Sequence, residues 1–130
     1  MNRRVLLDTH AVIWSLTEPR RLGSRLRRLF RDSTFVPFVS TVSLWEILAK
    51  AKSGKLHFAG DAETLLRDHL ENLQALILTL RADHVYAAYR LPLHHKDPWD
   101  RLLIGQALAE GALLATKDDA VRQYDVPVIW

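Results

Sequence analysis

Five short apolar runs rich in β-formers recur along this chain, and a helical pattern separates nearly every one from the next. Arg4–Leu7 (RVLL), Phe35–Val39 (FVPFV), Leu76–Leu80 (LILTL), Ala112–Ala115 and Val126–Ile129 read as strands. Helical patterns fall over Val12–Leu16, Leu22–Phe30, from a cap at Ser40 or Thr41 to Lys52, and from Asp61 to Leu73. Three more cover Ala82–Leu91, the stretch from Asp97 to about Gly111, and Asp118–Tyr124. Alternation at such short spacing predicts an α/β fold with a mainly parallel central sheet flanked by helices. Pro37 should weaken the second strand's ladder or place it near an edge. No repeat, low-complexity tract or linker interrupts the pattern, so residues 1–130 read as a single domain.

Composition narrows the classes of function. Nearly half the residues are apolar and a quarter are charged, which suits a folded soluble domain. The absence of cysteine excludes disulfides, thiolate zinc sites and a cysteine nucleophile. No run of about 18 apolar residues is present, so no membrane span is expected. The opening MNRRVLLDTHAVIW is basic and then apolar, but Asp8 and His10 interrupt it and no small-residue cleavage site follows. A cytoplasmic protein is the expectation. A net charge of +3 mildly favours a polyanionic partner.

The carboxylates carry the chemistry. In an open parallel sheet, ligands gather beyond the carboxyl ends of the strands, where strand order reverses. Asp8 follows the first strand and Asp118 the fourth, and each also suits a helix N-cap. In HHKDPWDRLLIGQAL, Asp97 before Pro98 reads as an N-cap with proline at the first helical position. Asp100 fits a cap less well. It shares a stripe with Leu103, Ile104 and Ala107, the face such a helix should bury, where a carboxylate must be paired, protonated or metal-bound. The apolar stripe of the Glu46 helix is drawn through Leu44, Trp45, Leu48 and Ala51, so Glu46 reads from pattern alone as an exposed pair with Lys50.

Carboxylates held in one pocket repel, so some protonate or a cation neutralises them. All-oxygen sites suit Mg²⁺ or Mn²⁺, ions that commonly serve phosphoryl chemistry. An acidic pocket on a basic protein therefore suggests a metal-dependent nuclease. His94 and His95 adjoin Asp97, but no zinc-type spacing supports them, and adjacent loop histidines read as surface residues. There is no glycine-rich phosphate loop, His10 stands where a haloacid-dehalogenase-like phosphotransferase would carry its second aspartate, and the paired acids of a response regulator are missing.

The blocks LLDTHAVIW, VSLWEILAKAKSGKL, LPLHHKDPWDRLLIGQAL and LLATKDDAVRQYDVPVIW span almost the whole chain. Together they resemble the PIN-domain ribonucleases, specifically the VapC-type toxins of prokaryotic toxin–antitoxin pairs. The resemblance implies a PIN-like three-layer sandwich and RNA phosphodiester hydrolysis by a metal-activated water, with Mg²⁺ or Mn²⁺ as cofactor, leaving a 5′-phosphate and a 3′-hydroxyl. It implies Asp8, Glu46, Asp100 and Asp118 as the acidic set, and so replaces the exposed-pair reading of Glu46. Asp8, Asp100 and Asp118 are the expected metal ligands, with Asp97 and Thr116 as accessory candidates and Asp119 facing solvent or standing behind the site.

PRRLGSRLRRLFRD concentrates arginines, and Arg21, Arg25 and Arg28 read as one helical face suited to phosphates or to an acidic peptide. The resemblance implies a cognate VapB-type antitoxin seated over this helical region, with Trp14 and Trp45 available to line the groove, although core packing suits either tryptophan. It also implies a homodimer, and contact with operator DNA only through the antitoxin. Two other classes compete: a non-catalytic PIN-like binding module, and a structure-specific DNA nuclease, which usually carries extensions this short chain has no room for.

Overall fold

The innermost strand, β1 (Arg3–Leu7), comes first in the chain and explains why the strand pattern is so apolar. Val5, Leu6 and Leu7 are all fully buried, because a central parallel strand is covered on both faces. Val5 and Leu7 enter one core while Leu6 enters the other, as a period of two requires. The computed structural model describes residues 3–130.

Among these residues the order is β1, α1 (Thr9–Thr17), a 3₁₀ turn at Pro19–Arg21, α2 (Ser24–Asp32), β2 (Phe35–Ser40), α3 (Thr41–Lys52) and α4 (Ala62–Asn72). Then follow β3 (Leu76–Leu78), α5 (Ala82–Tyr89), α6 (Pro98–Glu110), β4 (Leu113–Ala115), a 3₁₀ turn at Asp119–Gln123 and β5 (Val128–Ile129). The sheet runs β3-β2-β1-β4-β5, and every pairing is parallel. One core packs Val5, Leu7 and Val39 against Val12, Leu26, Ile47 and Leu66 from α1 to α4. The other packs Leu6 and Leu114 against Leu103, Ile104 and Ala107 of α6 and against Val121, Tyr124 and Val126. The result is the expected three-layer sandwich. No helix among the described residues is long and apolar enough to cross a membrane.

Two local expectations change, and the one for Pro37, a place near an edge, holds in a particular form. α1 begins at Thr9, three residues earlier than its apolar pattern, because the Asp8 carboxylate accepts a hydrogen bond from the Ala11 amide and starts the helix at once. Pro37 lies in β2, which is not an edge strand. β3 pairs only with Phe38 to Ser40, so Pro37 has a strand neighbour on the β1 side alone and an open side opposite, and it is on that open side that a missing amide proton costs little. Arg21 does not share a helix with Arg25 and Arg28. Pro19 opens a separate 3₁₀ turn, and the chain bends through Leu22 and Gly23 before α2 begins. Gly23 is obligatory at that bend, since a Cβ there would sit 2.2 Å from the Trp130 carbonyl carbon.

α5 lies tightly on α6. A Cβ on Gly105 would stand 2.7 Å from the Ala88 nitrogen and 2.8 Å from the His84 oxygen, backbone atoms that have little freedom to yield. Gly105→Ala is therefore expected to destabilise the fold by about 1–3 kcal/mol through overpacking, against the gain alanine gives in an open helix. Urea or thermal unfolding measures it, and a variant at least as stable as the parent would show that the two helices have room to part.

Candidate functional site

β1 and β4 are neighbours, and the chain leaves their carboxyl ends on opposite sides of the sheet, so the strand order reverses between them. The two ends are tied: the Asp8 amide donates to the Ala115 carbonyl at 3.0 Å. Asp8 starts α1 through its Oδ1, which accepts from the Ala11 amide at 2.7 Å. Asp118 Oδ1 accepts from the Ala120 amide at 2.9 Å and starts the following 3₁₀ turn. Thr116 is 2% exposed and joins the two acids. Its Oγ1 accepts from the Asp118 amide at 3.1 Å, and its side chain also hydrogen-bonds the Asp8 carboxyl.

The third acid arrives on α6. Asp97 caps this helix, its Oδ1 accepting from the Trp99 amide at 2.9 Å and the Asp100 amide at 3.3 Å. Asp100, in the first turn, is carried toward the sheet by the stripe below it, where Leu103, Ile104 and Ala107 are at most 1% exposed. The face assigned to Asp100 from periodicity is thus the buried face. Asp97 gives Oδ1 to the cap and acts on Asp100 through its charge.

His95 joins this cluster, against its reading as a surface residue. Its Nε2 lies 2.8 Å from Asp118 Oδ2 and 3.0 Å from Asp100 Oδ2. Its Nδ1 accepts from the Asp97 amide at 3.1 Å, so in the neutral ring the proton sits on Nε2 and is donated to the carboxylates. Tyr124, buried in the core, fixes the loop: its hydroxyl accepts from the His95 amide at 2.8 Å and donates to the Pro92 carbonyl at 2.9 Å. Position in this loop, and not local pattern, makes His95 part of the site. The only sequence signal is its place two residues before the Asp97 cap.

Glu46 stands beside this group and not inside it. Its Oε1 accepts from the Thr9 hydroxyl at 2.8 Å, and its Oε2 pairs with Lys50 at 2.9 Å. Ser43 hydrogen-bonds Thr9 in turn at 3.0 Å. The pair with Lys50 exists as the spacing implied, but the glutamate side chain is only 13% exposed. The helical stripe was misphased: α3 buries Val42, Ser43 and Ile47, while Trp45 is 62% exposed. Since Glu46 lies three residues after Ser43, it flanks the buried face and reaches Thr9, the neighbour of Asp8. Arg25 and Arg28 are exposed on α2, whereas Arg21 pairs with Glu18 at 3.1 Å and packs over the Trp14 indole at 4.2 Å. Asp119 faces solvent.

Electrostatics make the pocket receptive to a cation. Burial pushes the Asp8 carboxyl above its usual range, and the Asp118 charge adds to this, against the Ala11 and Thr116 hydrogen bonds and His10, which pull it back. Burial likewise raises Asp100, to about 6, with Asp97, Asp8 and Asp118 adding repulsion and His95 opposing it. Oxygens of Asp100 and Asp118 with His95 Nε2 lie within 4.8 Å of one another, close enough to share a metal ion. The carboxylates fit a hard divalent ion; His95, holding its proton on Nε2, stands in this structure as a donor and not as a nitrogen ligand. A second cluster, Asp83, His84 and Glu110, is already served by cations. Glu110 is held at about 2 by hydrogen bonds from His84 and then Arg81, at 3.0 and 2.7 Å, with Arg4 at 3.1 Å.

Fold and pocket together define an α/β protein whose sheet gathers acids able to hold a metal ion at its switch point. The chain belongs to the PIN domain family, whose sequence model matches residues 5–127. It is 27% identical over 124 residues to Ribonuclease VapC22 of Mycobacterium tuberculosis, covering 95% of this chain and 93% of that protein. Its fold is similar to that of VapBC2 from Rickettsia felis, solved bound to a DNA fragment from its promoter, with a TM-score of 0.76 at 14% identity and 97% of each chain covered. It is also similar to DNA-bound VapBC from Salmonella typhimurium, with a TM-score of 0.72 at 15% identity, covering 99% of this chain and 98% of that one.

A carboxyl raised by folding opposes folding once it ionises. The penalty is absent below about pH 4 and is complete above about pH 6 for Asp100. In EDTA, Asp100→Asn is therefore expected to raise the Tm at pH 7.5 by about 3–5 °C, equivalent to roughly 1 kcal/mol after screening, with the gain fading below about pH 4. Calorimetry at the two pH values decides; equal gains at both would show that ionisation of Asp100 is not the cause.

Proposed function

We propose that this protein is a metal-dependent endoribonuclease acting as the toxin of a type II toxin–antitoxin pair. The observation that carries this reading is the convergence of Asp8, Asp100 and Asp118 at the switch point, with two of the three carboxyls pushed up by burial and then by the charge of neighbouring acids. The name of the VapC22 relative and the VapBC assemblies that share the fold support it.

Asp8, Asp100 and Asp118 would hold Mg²⁺ or Mn²⁺. Bound there, such an ion supplies Lewis acidity, activating water and neutralising phosphate charge. The chain's own groups do the rest. Thr116 ties the Asp118 backbone to the Asp8 carboxyl, and the Asp97 cap fixes Asp100 rigidly at the sheet's mouth. Thr9 and Lys50 hold Glu46 to complete the acidic rim. Hydrolysis would leave a 5′-phosphate and a 3′-hydroxyl.

Partners follow the same reading. A VapB-type antitoxin would cover the α1–α3 region, where Trp45 is exposed and the arginines cluster, and the toxin would meet operator DNA through it. α5 and the loop after it expose Val85, Tyr86, Tyr89 and Leu93, the last two more than 80% accessible, a surface suited to a second copy of the chain. We place the protein in the cytoplasm and read residues 1–130 as one domain.

With Mg²⁺ or Mn²⁺ present, the purified protein should cleave RNA, and Asp8→Ala or Asp100→Ala should lower the rate about a hundredfold or more. Expression of the parent should arrest growth while Asp100→Ala does not. Folded parent protein without metal-dependent cleavage would favour a non-catalytic module instead. Sedimentation should report a dimer that Tyr89→Glu shifts to monomer; a monomeric parent at micromolar concentration removes the dimer proposal.

A further inference from the structure

Beside the acids lies a cleft of about 310 Å³ lined by Asp8, His10, Trp14, Lys117 and Asp118. Its walls differ in kind. Two carboxylates of the candidate metal site form one side. The other is aromatic: His10 and Trp14 lie four residues apart on α1, share a helical face, and stand with ring centroids 5.4 Å apart and their planes inclined at 43°. The residues α1 contributes to the interior are Thr9, Ala11, Val12 and Ile13. His10 is exposed and Trp14 half-buried, so these rings belong to the cleft as much as to the core.

The indole is held in place. Its ring meets Trp130 edge-on at 5.8 Å, and the Arg21 guanidinium, tied to Glu18, packs over it at 4.2 Å. Lys117 brings its ammonium to 5.8 Å from the same ring while lining the cleft. A ligand that fits these walls has a flat apolar face to lie against one of the two inclined rings, a negative group for the lysine, and a phosphate beside the carboxylates that would hold a metal ion. A nucleotide unit of RNA has all three. A base inside a duplex has both faces covered by its neighbours, so the base that enters must be unpaired.

We propose that His10 and Trp14 form a stacking platform for one unpaired base next to the scissile phosphate, with Lys117 holding an adjoining phosphate. The platform deepens the ribonuclease reading and rests on it. It gives the enzyme a contact that depends on a base beside the cut.

The test uses an unstructured RNA oligonucleotide and a series of copies, each lacking one base. Cleavage is followed with Mg²⁺ or Mn²⁺ for the parent, His10→Ala and Trp14→Phe. Removing the base at one position beside the cut should raise the parent's KM about five- to a hundredfold, the range of a base–aromatic stack, with kcat little changed. In His10→Ala that penalty should shrink severalfold, while Trp14→Phe, which keeps an aromatic face, should retain most of it. His10 is exposed, so its variant should fold, and a melting curve checks this. Cleavage by the parent that ignores every missing base, or an equal penalty in parent and His10→Ala, overturns the platform alone. A parent that neither binds nor cleaves the intact oligonucleotide overturns the ribonuclease reading and the platform with it.

Discussion

Acids of like charge cannot be gathered at one edge of a sheet unless something holds each of them there. Here the anchor is the amide group at the start of a helix or helical turn. Asp8 takes the Ala11 amide, Asp97 takes those of Trp99 and Asp100, and Asp118 takes that of Ala120. Each bond satisfies an orphan donor, and each helix start adds partial positive charge beside a carboxylate. The strand order then does the gathering. Because β1 and β4 are neighbours and their chains diverge, two of these starts meet, and α6 brings the third. Capping and site-building are one arrangement: Asp118 gives Oδ1 to its turn and Oδ2 to His95.

α6 shows two opposite electrostatic regimes on one rod. At its C-terminal end Glu110 is surrounded by Arg81, Arg4 and His84 and is held far down. At its N-terminal end Asp100 faces Asp97, Asp8 and Asp118, with His95 as its compensating donor, and is pushed up to about 6. The same side-chain chemistry is surrounded by cations at one end and crowded by like charge at the other. The first carboxylate fastens the fold, tying β1 and α5 to the end of α6. The second, raised by burial and by neighbouring acids, marks a candidate site.

The alternation of short strands with helices was legible in the sequence because a parallel sheet must be apolar on both faces, and Val5, Leu6 and Leu7 obey that rule in succession. Asp100 was legible for a related reason, since its stripe through Leu103 and Ile104 is local and periodic. Glu46 was misread because Trp45 is apolar by type yet exposed, and counting it inward rotated the α3 stripe away from Val42 and Ile47. His95 carried no periodic signal at all. Its place depends on the Tyr124 hydroxyl, 29 residues away in sequence. Arg21 was grouped with Arg25 and Arg28 by spacing alone, and the bend through Gly23 against Trp130 separates them. What local pattern cannot supply is where two distant segments touch.

The sheet's borders are short: β3 offers three residues and β5 two. Exposed strand edges are templates for another chain's backbone, and curtailing them removes the template. A ladder extended by a partner strand would find little to continue on either side. Encounters with other macromolecules are thereby left to the helical faces and to the open carboxyl end of the sheet, so that recognition proceeds through side chains, which differ from one partner to the next, and not through backbone, which does not.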